Sequence, residues 1–445
     1  MADVRKKQEI PKRVSGAILN SLAAGVVPRT GLEYIAIGRT HEIAAMLGDL
    51  EVVESGGSAF RLISGRYGSG KSFLIQLMRS HAMERGFAVA DADLSPERRL
   101  AGSKGQGLAT YRELLRNLST RAAPDGGALA VILTRWISKM QLSIAKERGF
   151  APGSAELADA VELAIMEVIS GLEVMVHGFD FATAVRSFYR GAVSGDDELR
   201  QAALRWIRGE FATKTEARAY LPVSGIIEDS SWYDYLKLVG ALLVAAGHHG
   251  FIIFIDETVN LYKITQSVSR EANYEKLLNI FNDCTQGKLS HMAFIFGATP
   301  QCVEDRRRGL YSYEALRSRL SGSRFAQAGI LDMSEPVIKL QPLTPEEILA
   351  LLKRILYIHA KHYEWDPGVT DEQIAALVQN LAGRMGADVL LTPREVVRDF
   401  TGLLNILRQN PAESFDSLTA KLDIKPAGQE GPVQDGGEPF AEFEL

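Results

Sequence analysis

Residues 60–72 read FRLISGRYGSGKS, and this stretch decides the fold. The run Phe60 to Ile63 reads as a strand, and Gly65, Gly70, Lys71 and Ser72 complete the spacing GxxxxGK[ST] directly behind it, ahead of a helical pattern. Glycines let the backbone wrap an anion with its N–H groups turned inward, and the N-terminus of the following helix adds positive potential. In that arrangement Lys71 reaches the terminal phosphates of a nucleotide and Ser72 ligates Mg2+. Arg66, Tyr67, Gly68, Ser69 and Phe73 fill the same loop and first helical turn, so residues 65–73 as a whole are the expected cofactor contact.

Working outward, short apolar runs recur at Phe87 to Ala90, Phe251 to Ile255 and Ala293 to Phe296. Such runs, separated by helical patterns, predict strands buried on both faces in a parallel sheet covered by helices, hence an α/β core. Tyr274, Leu277, Leu278 and Phe281 repeat at helical spacing between the third and fourth strands. The third strand, FIIFIDE, ends in Asp256 and Glu257, where one carboxylate can hold the metal and its neighbour can polarise the attacking water. The alternative for Glu257 is a helix-capping acid. The fourth, AFIFGAT, delivers Thr299 beyond its end, either to hydrogen-bond the lytic water or γ-phosphate or to act as a cap before Pro300.

The remaining sequence frames this core. Residues 105–232 carry periodic Leu, Ile and Val broken near Pro124 and Pro152, which predicts a helical insertion between the second and third strands. Thr344, Pro345 and Glu347, and again Thr392, Pro393 and Glu395, supply N-cap, first-turn proline and capping-box acid for helices of a small C-terminal domain. Arg394 stands at the second position of the latter helix, where its charge and the helix N-terminus can face one anion, or where it is simply an exposed arginine. Arg317 and Arg319 in YEALRSRLS are candidates for an arginine supplied to a neighbouring subunit, and the triplet Arg306, Arg307 and Arg308 reads as a solvated loop or a phosphate-backbone contact. His359 with His362, and His248 with His249, lack a nameable third ligand and take ordinary polar roles.

Composition limits the partners. With 50 Lys and Arg against 55 Asp and Glu the formal charge is −5, which argues against a chain coated in positive charge for nucleic acid, though not against a local basic patch. Leu238 to Gly247 is too short to span a bilayer and no signal segment opens the chain, while Cys284 and Cys302 form no paired spacing, so a reducing cytoplasm is expected. Arg5, Lys6, Lys7, Lys12 and Arg13 make a basic leader. Residues 426–445, with Glu430, Asp435, Glu438, Glu442 and Glu444 and no Lys or Arg, read as a disordered acidic tail whose Phe440, Phe443 and Leu445 suit docking on a partner.

Taken in order, these motifs resemble an AAA+ ATPase of the initiator type, related to origin-recognition proteins. Ile37, Gly38 and Arg39 in AIGRTHEI are similar to the box that lies near adenine. Lys71 with Ser72 is similar to Walker A, Asp256 with Glu257 to Walker B and Thr299 to sensor 1. Arg319 is similar to the finger, and Arg394, in the lid opened by LQPLTPEEI, to sensor 2. More narrowly, AGVVPRTGLEYIAIGR, the insertion, YEALRSRL and TPREVVRDF resemble the ATP-binding P-loop family of BREX-type bacteriophage-defence loci. The resemblance implies an ATP- and Mg2+-dependent ATPase, a homo-oligomer when ATP is bound, that remodels or loads a DNA or protein complex beside other defence proteins, an Lhr-like helicase among them. A signalling switch that hydrolysis merely resets is the alternative. No winged-helix domain is expected after the lid, so DNA contact is indirect or non-specific and comes from the insertion or a partner. The implied layout is a leader and first helix at 1–30, core at 31–104, insertion at 105–232, core at 233–343, lid at 344–424 and tail at 425–445.

Overall fold

Continuous apolar runs become strands wherever both faces of the chain can be covered. The computed structural model describes residues 10–173, 175–322, 332–384 and 392–420; the basic residues Arg5, Lys6 and Lys7 and the acidic tail lie outside them. The strands are β1 (Ser58–Ser64), β2 (Ala88–Asp93), β3 (Phe251–Asp256), β4 (Met292–Ala298) and β5 (Val337–Lys339), all parallel in the order β2-β3-β4-β1-β5. The described helices begin with α1 (Lys12–Ala23), α2 (Thr40–Glu54), α3 (Lys71–Glu84), α4 (Gln106–Arg116), α5 (Ala128–Arg148), α6 (Ala155–Glu173), α7 (Gly178–Ser194), α8 (Asp197–Ile207) and α9 (Lys214–Tyr220). They continue with α10 (Trp232–Ala245), α11 (Val259–Tyr262), α12 (Ser267–Thr285), α13 (Pro300–Glu304), α14 (Glu314–Leu320), α15 (Pro345–Tyr363), α16 (Asp371–Arg384), α17 (Pro393–Gln409) and α18 (Phe415–Ala420). No described helix is long and apolar enough to cross a membrane.

Two units emerge from this order, one of them Arg39–Gln341. Its sheet is a middle layer. Ile63, Val89, Ile252 and Ile295 face α2 and α3 through Met46, Leu50, Leu74 and Met78, while Phe60, Ala90, Ile253 and Phe294 face the other way. On that second side α12 presents Tyr274, Leu277, Leu278 and Phe281, all buried as their spacing requires. Helices α4 to α10 join the same apolar cluster rather than forming a separate core, with Tyr111, Phe181, Phe188 and Trp206 among its fully buried side chains.

Buried polar groups hold this packing in register. Asp180 accepts from the Ser224 amide (2.8 Å), the Ser224 hydroxyl (2.7 Å) and the Gly225 amide (2.9 Å), pinning that loop to α7. Arg61 interrupts the otherwise apolar β1, and the structure accounts for it. Its guanidinium forks onto Asp49 of α2 at 2.6 and 2.8 Å and donates to the carbonyls of Met333 (2.9 Å) and Glu335 (2.6 Å). One cation thus ties α2 and the segment entering β5 to the strand that feeds the phosphate loop.

The second unit comprises Met1–Gly38 and Pro342–Leu445. Its α1 packs on α15 and α17, so the first described helix is built into the C-terminal helical assembly. Both capping boxes form: Glu347 accepts from the Thr344 amide (2.9 Å) and donates its own amide to the Thr344 hydroxyl (3.2 Å), and Glu395 accepts from the Thr392 amide (3.3 Å) and hydroxyl (2.9 Å). Ser15 meets the His362 ring nitrogen Nδ1 at 2.8 Å, joining α1 to α15. His359 is fully buried, with Trp365 Nε1 donating to its Nδ1 (3.0 Å) and Asn405 Oδ1 3.1 Å from its Nε2.

Burial lowers the His359 pKa from its ordinary 6.5, partly offset by the Asn405 hydrogen bond, with Arg408 and His362 lowering it further. Protons therefore bind the unfolded chain before the folded one. The contribution is complete above about pH 6.5 and is lost as pH falls toward the depressed folded value. We predict a lower urea midpoint for this unit at pH 5.5 than at pH 7, and an NMR-titrated ring pKa below that of a free histidine. A His359 ring that titrates at or above 6.5 contradicts the arrangement.

Candidate functional site

The site grows from the carboxyl ends of β1, β3 and β4. Strand β4 lies between β1 and β3, so the loop after β1 and the carboxylates after β3 face each other across one strand's width. The loop is anchored at its start, where the Gly65 amide donates to the Ala298 carbonyl of β4 (3.1 Å). It turns into α3 at Gly70, whose φ of +94° carries a steric penalty for any residue with a Cβ. Lys71 Nζ donates to the carbonyls of Gly65 (2.9 Å) and Arg66 (3.0 Å), so the ammonium lies over the loop. Burial lowers its pKa below the usual lysine range, while Asp256 and Glu257 pull it back up.

Arg39 fixes the loop from below. Only 6% exposed, its guanidinium donates to the carbonyls of Ser69 (2.9 Å) and Gln341 (2.8 Å) and pairs with Glu42 at 3.3 Å. Its donors are thus directed to backbone oxygens and a carboxylate. Within the loop the Ser69 hydroxyl is buried with no partner among the described residues, leaving a donor for a ligand oxygen. Tyr67 is 71% exposed at the loop's outer edge.

Across the sheet, Ser72 Oγ donates to Asp256 Oδ2 at 2.8 Å. The next residue, Glu257, has φ +57°, and its amide donates to Asp256 Oδ1 (2.8 Å), so the turn presents two successive carboxylates. Room for the first comes from Gly297 on β4, where an added Cβ would overlap the Asp256 carboxylate. Asp93 ends β2 in register with Asp256. Burial raises its pKa above the ordinary aspartate range, and the charges of Asp256, Glu257 and Asp91 raise it further against Arg98. A hydroxyl touching a carboxylate, with further acids crowded beside them, is a donor set suited to a hard divalent cation that keeps several of its other ligands from phosphate and water.

Thr299 stands one residue past β4, and its hydroxyl accepts from the Cys302 amide (3.2 Å), making it the N-cap of α13. Arg319 on α14 donates from Nε to Asn282 Oδ1 (3.0 Å) and from Nη1 to the Ala315 carbonyl (3.0 Å), whereas Arg317 pairs with Glu314 at 3.2 Å. In the triplet, Arg308 is tied to the carbonyls of Tyr262 (3.3 Å) and Ile264 (3.2 Å), and Arg306 and Arg307 are exposed. Ile37, Gly38 and Arg394 belong to the helical unit: Gly38 packs against Glu347 and Leu343, and Arg394 Nε lies 3.6 Å from the place of a Cβ on Gly25. Lys71, Ser72, Asp256 and Glu257 are therefore brought together by the sheet, and Asp93 and Gly297 join them without having been anticipated. The acid at the end of the Ala88–Asp93 strand was the available signal for the former; nothing local marked the latter.

Gly297→Ala should displace the Asp256 carboxylate and weaken Mg2+-dependent binding of a fluorescent ATP analogue by about tenfold, roughly 1.4 kcal/mol, with unchanged far-UV circular dichroism. Parental affinity in the folded variant would count against Asp256 as the metal-side carboxylate.

No curated protein matches this chain. A family model does, over residues 10–423, a span that takes in the phosphate loop, the paired carboxylates and both helical regions. The chain belongs to the family described as BREX system ATP-binding protein BrxC/D.

Proposed function

We propose that this protein binds and hydrolyses ATP as an AAA+ ATPase and couples its nucleotide state to remodelling or loading of a DNA or protein complex in bacterial antiviral defence. The observation that carries the reading is the 2.8 Å contact between Ser72 and Asp256 with Glu257 as the adjoining residue. Family membership supports ATP as the nucleotide and other components of the BREX system as partners. An Lhr-like helicase among those partners and a cytoplasmic location complete the proposal.

In this reading, the amides of 65–72 and Lys71 hold the phosphates, and Ser72 and Asp256 hold Mg2+, which when bound neutralises phosphate charge. Glu257 orients the attacking water and Thr299, while capping α13, keeps a hydroxyl proton directed at the water or γ-phosphate. Ile37, Gly38 and Arg39 form the adenine-side box, with Arg39 acting through the loop backbone it holds. Arg394 senses the nucleotide from the lid, and Arg319 serves a neighbouring subunit in an ATP-bound oligomer.

A switch in which hydrolysis only resets the state is favoured by one observation. Lys71 and Arg319 both hydrogen-bond within their own chain, to Gly65 and Arg66 and to Asn282 and Ala315 respectively, so each exchanges existing bonds before it meets phosphate.

Lys71→Ala should abolish measurable ATP binding, whereas Glu257→Gln should retain it and lower turnover by roughly 100-fold, because orienting water is a transition-state task. Parental turnover in folded Glu257→Gln would move the water-positioning role elsewhere.

Arg319→Ala should lower turnover by roughly 1,000-fold and make specific activity insensitive to protein concentration. Mixed with Lys71→Ala it should recover part of the activity, since each variant supplies what the other lacks. Concentration-independent activity in the parent would reject an arginine acting in trans.

A further inference from the structure

At the opposite end of the sheet from the phosphate loop, the amino ends of β2 and β3 open into a groove of about 570 Å³. Its wall includes Phe87, Val131 and Trp136, and Arg121, Arg135 and Lys139 line it as exposed cations. Lys139 Nζ comes within 3.7 Å of where Gly247 would carry a Cβ, so the ammonium is drawn over the opposite lip. Glu84 is the carboxylate in the lining, and it lies 3.9 Å from the His81 ring nitrogen Nδ1. His248, also in the lining, meets the Gly86 carbonyl at 3.2 Å, and burial lowers its pKa, so it adds no charge at neutral pH.

Three features set this groove apart from an ordinary solvated face. First, Arg121, Arg135 and Lys139 have no carboxylate partner among the described residues and converge on one groove. Second, the positive charge continues in a line. Arg135, Lys139 and Lys146 fall within one narrow arc of α5, rising about 6 Å and then about 10 Å along the axis, and Arg148 ends the helix. Third, cations outnumber carboxylates over the same stretch, with Arg121, Arg135, Lys139, Lys146 and Arg148 against Asp125 and Glu147.

A straight rod of unpaired cations that runs out of a cationic groove is complementary to an extended polyanion with regularly repeated charges, more than to a single compact phosphate. We propose that this groove and the adjoining face of α5 bind the phosphodiester backbone of a nucleic acid, independently of its sequence. The fork of Arg121 and Arg135 and the point charge of Lys139 grip phosphate oxygens, and the apolar wall supports the sugar edge. Base identity is not read, because Trp136, the aromatic group nearest the cations on α5, is only 5% exposed and offers no stacking platform.

The inference is independent of ATP hydrolysis, since the groove lies at the other end of the sheet, and its readout requires no turnover. The full chain is titrated by fluorescence anisotropy with a 30-nucleotide single-stranded DNA, the matching duplex and a single-stranded RNA, each at several salt concentrations. The variant Arg121→Gln/Arg135→Gln/Lys139→Gln should bind at least one of these probes about 10- to 100-fold more weakly than the parent, with the salt slope reduced by roughly two to three. A variant with the same charge change elsewhere, Lys214→Gln/Lys288→Gln/Lys361→Gln, should retain affinity to within about threefold of the parent. The three probes distinguish single-stranded from duplex and DNA from RNA as the source of the backbone. Equal affinity of the groove and control variants, or no binding of any probe by the parent, overturns the proposal. So does binding of poly-L-glutamate by the parent with at least the affinity of the nucleic acids, which would assign the groove to an acidic protein segment.

Discussion

A serine hydroxyl at the start of one helix touches a carboxylate at the end of a strand two places away in the sheet, and the site depends on that 2.8 Å contact. It requires β1 and β3 to be parallel, to end level with each other and to be separated by a strand that leaves room between them. Gly297 on β4 meets the last condition, since any side chain there would collide with Asp256. The parallel arrangement follows from the long helical connections, which cover both faces of the sheet and explain why its strands are mainly apolar.

Around that contact the protein uses buried arginines as braces. Arg39 holds the Ser69 carbonyl of the phosphate loop, and Arg61 holds Asp49 and two carbonyls near β5. A guanidinium suits the task because it stays charged and directs several donors in a rigid plane toward separate oxygens. Breaking such a buried pair strands its acceptors and costs about 3–5 kcal/mol. Arg121, Arg135 and Lys139 invert the pattern: they are exposed, and no carboxylate among the described residues answers them. The same residue types therefore brace the end of the sheet that carries residues 65–72 and leave charge on offer at the other.

The helical unit rests on a different balance. Its helices α15 and α17 start at capping boxes that satisfy the first amides, and its interior closes over His359, a polar ring accommodated because Trp365 and Asn405 engage both nitrogens. A buried polar group with both ends engaged specifies one packing, at the expense of sensitivity to acid.

The sequence by itself determined the phosphate loop, the four principal strands, the helix between the third and fourth of them, and both capping boxes. Each depends on chemistry within a dozen neighbouring residues: spacing, periodicity and cap geometry. It also marked Lys71, Ser72, Asp256 and Glu257, because strand ends announce themselves where apolar runs stop. Tertiary structure alone decided the strand order, the inclusion of α1 in the C-terminal helical assembly, the place of Asp93 beside Asp256, and the need for Gly297. It gave Arg61 a partner, although the linear pattern shows only an arginine inside a strand. It also brought Arg121 from a loop next to Arg135 and Lys139 of α5. These depend on which distant segments the packed core sets side by side, and periodicity along a chain carries no information about that.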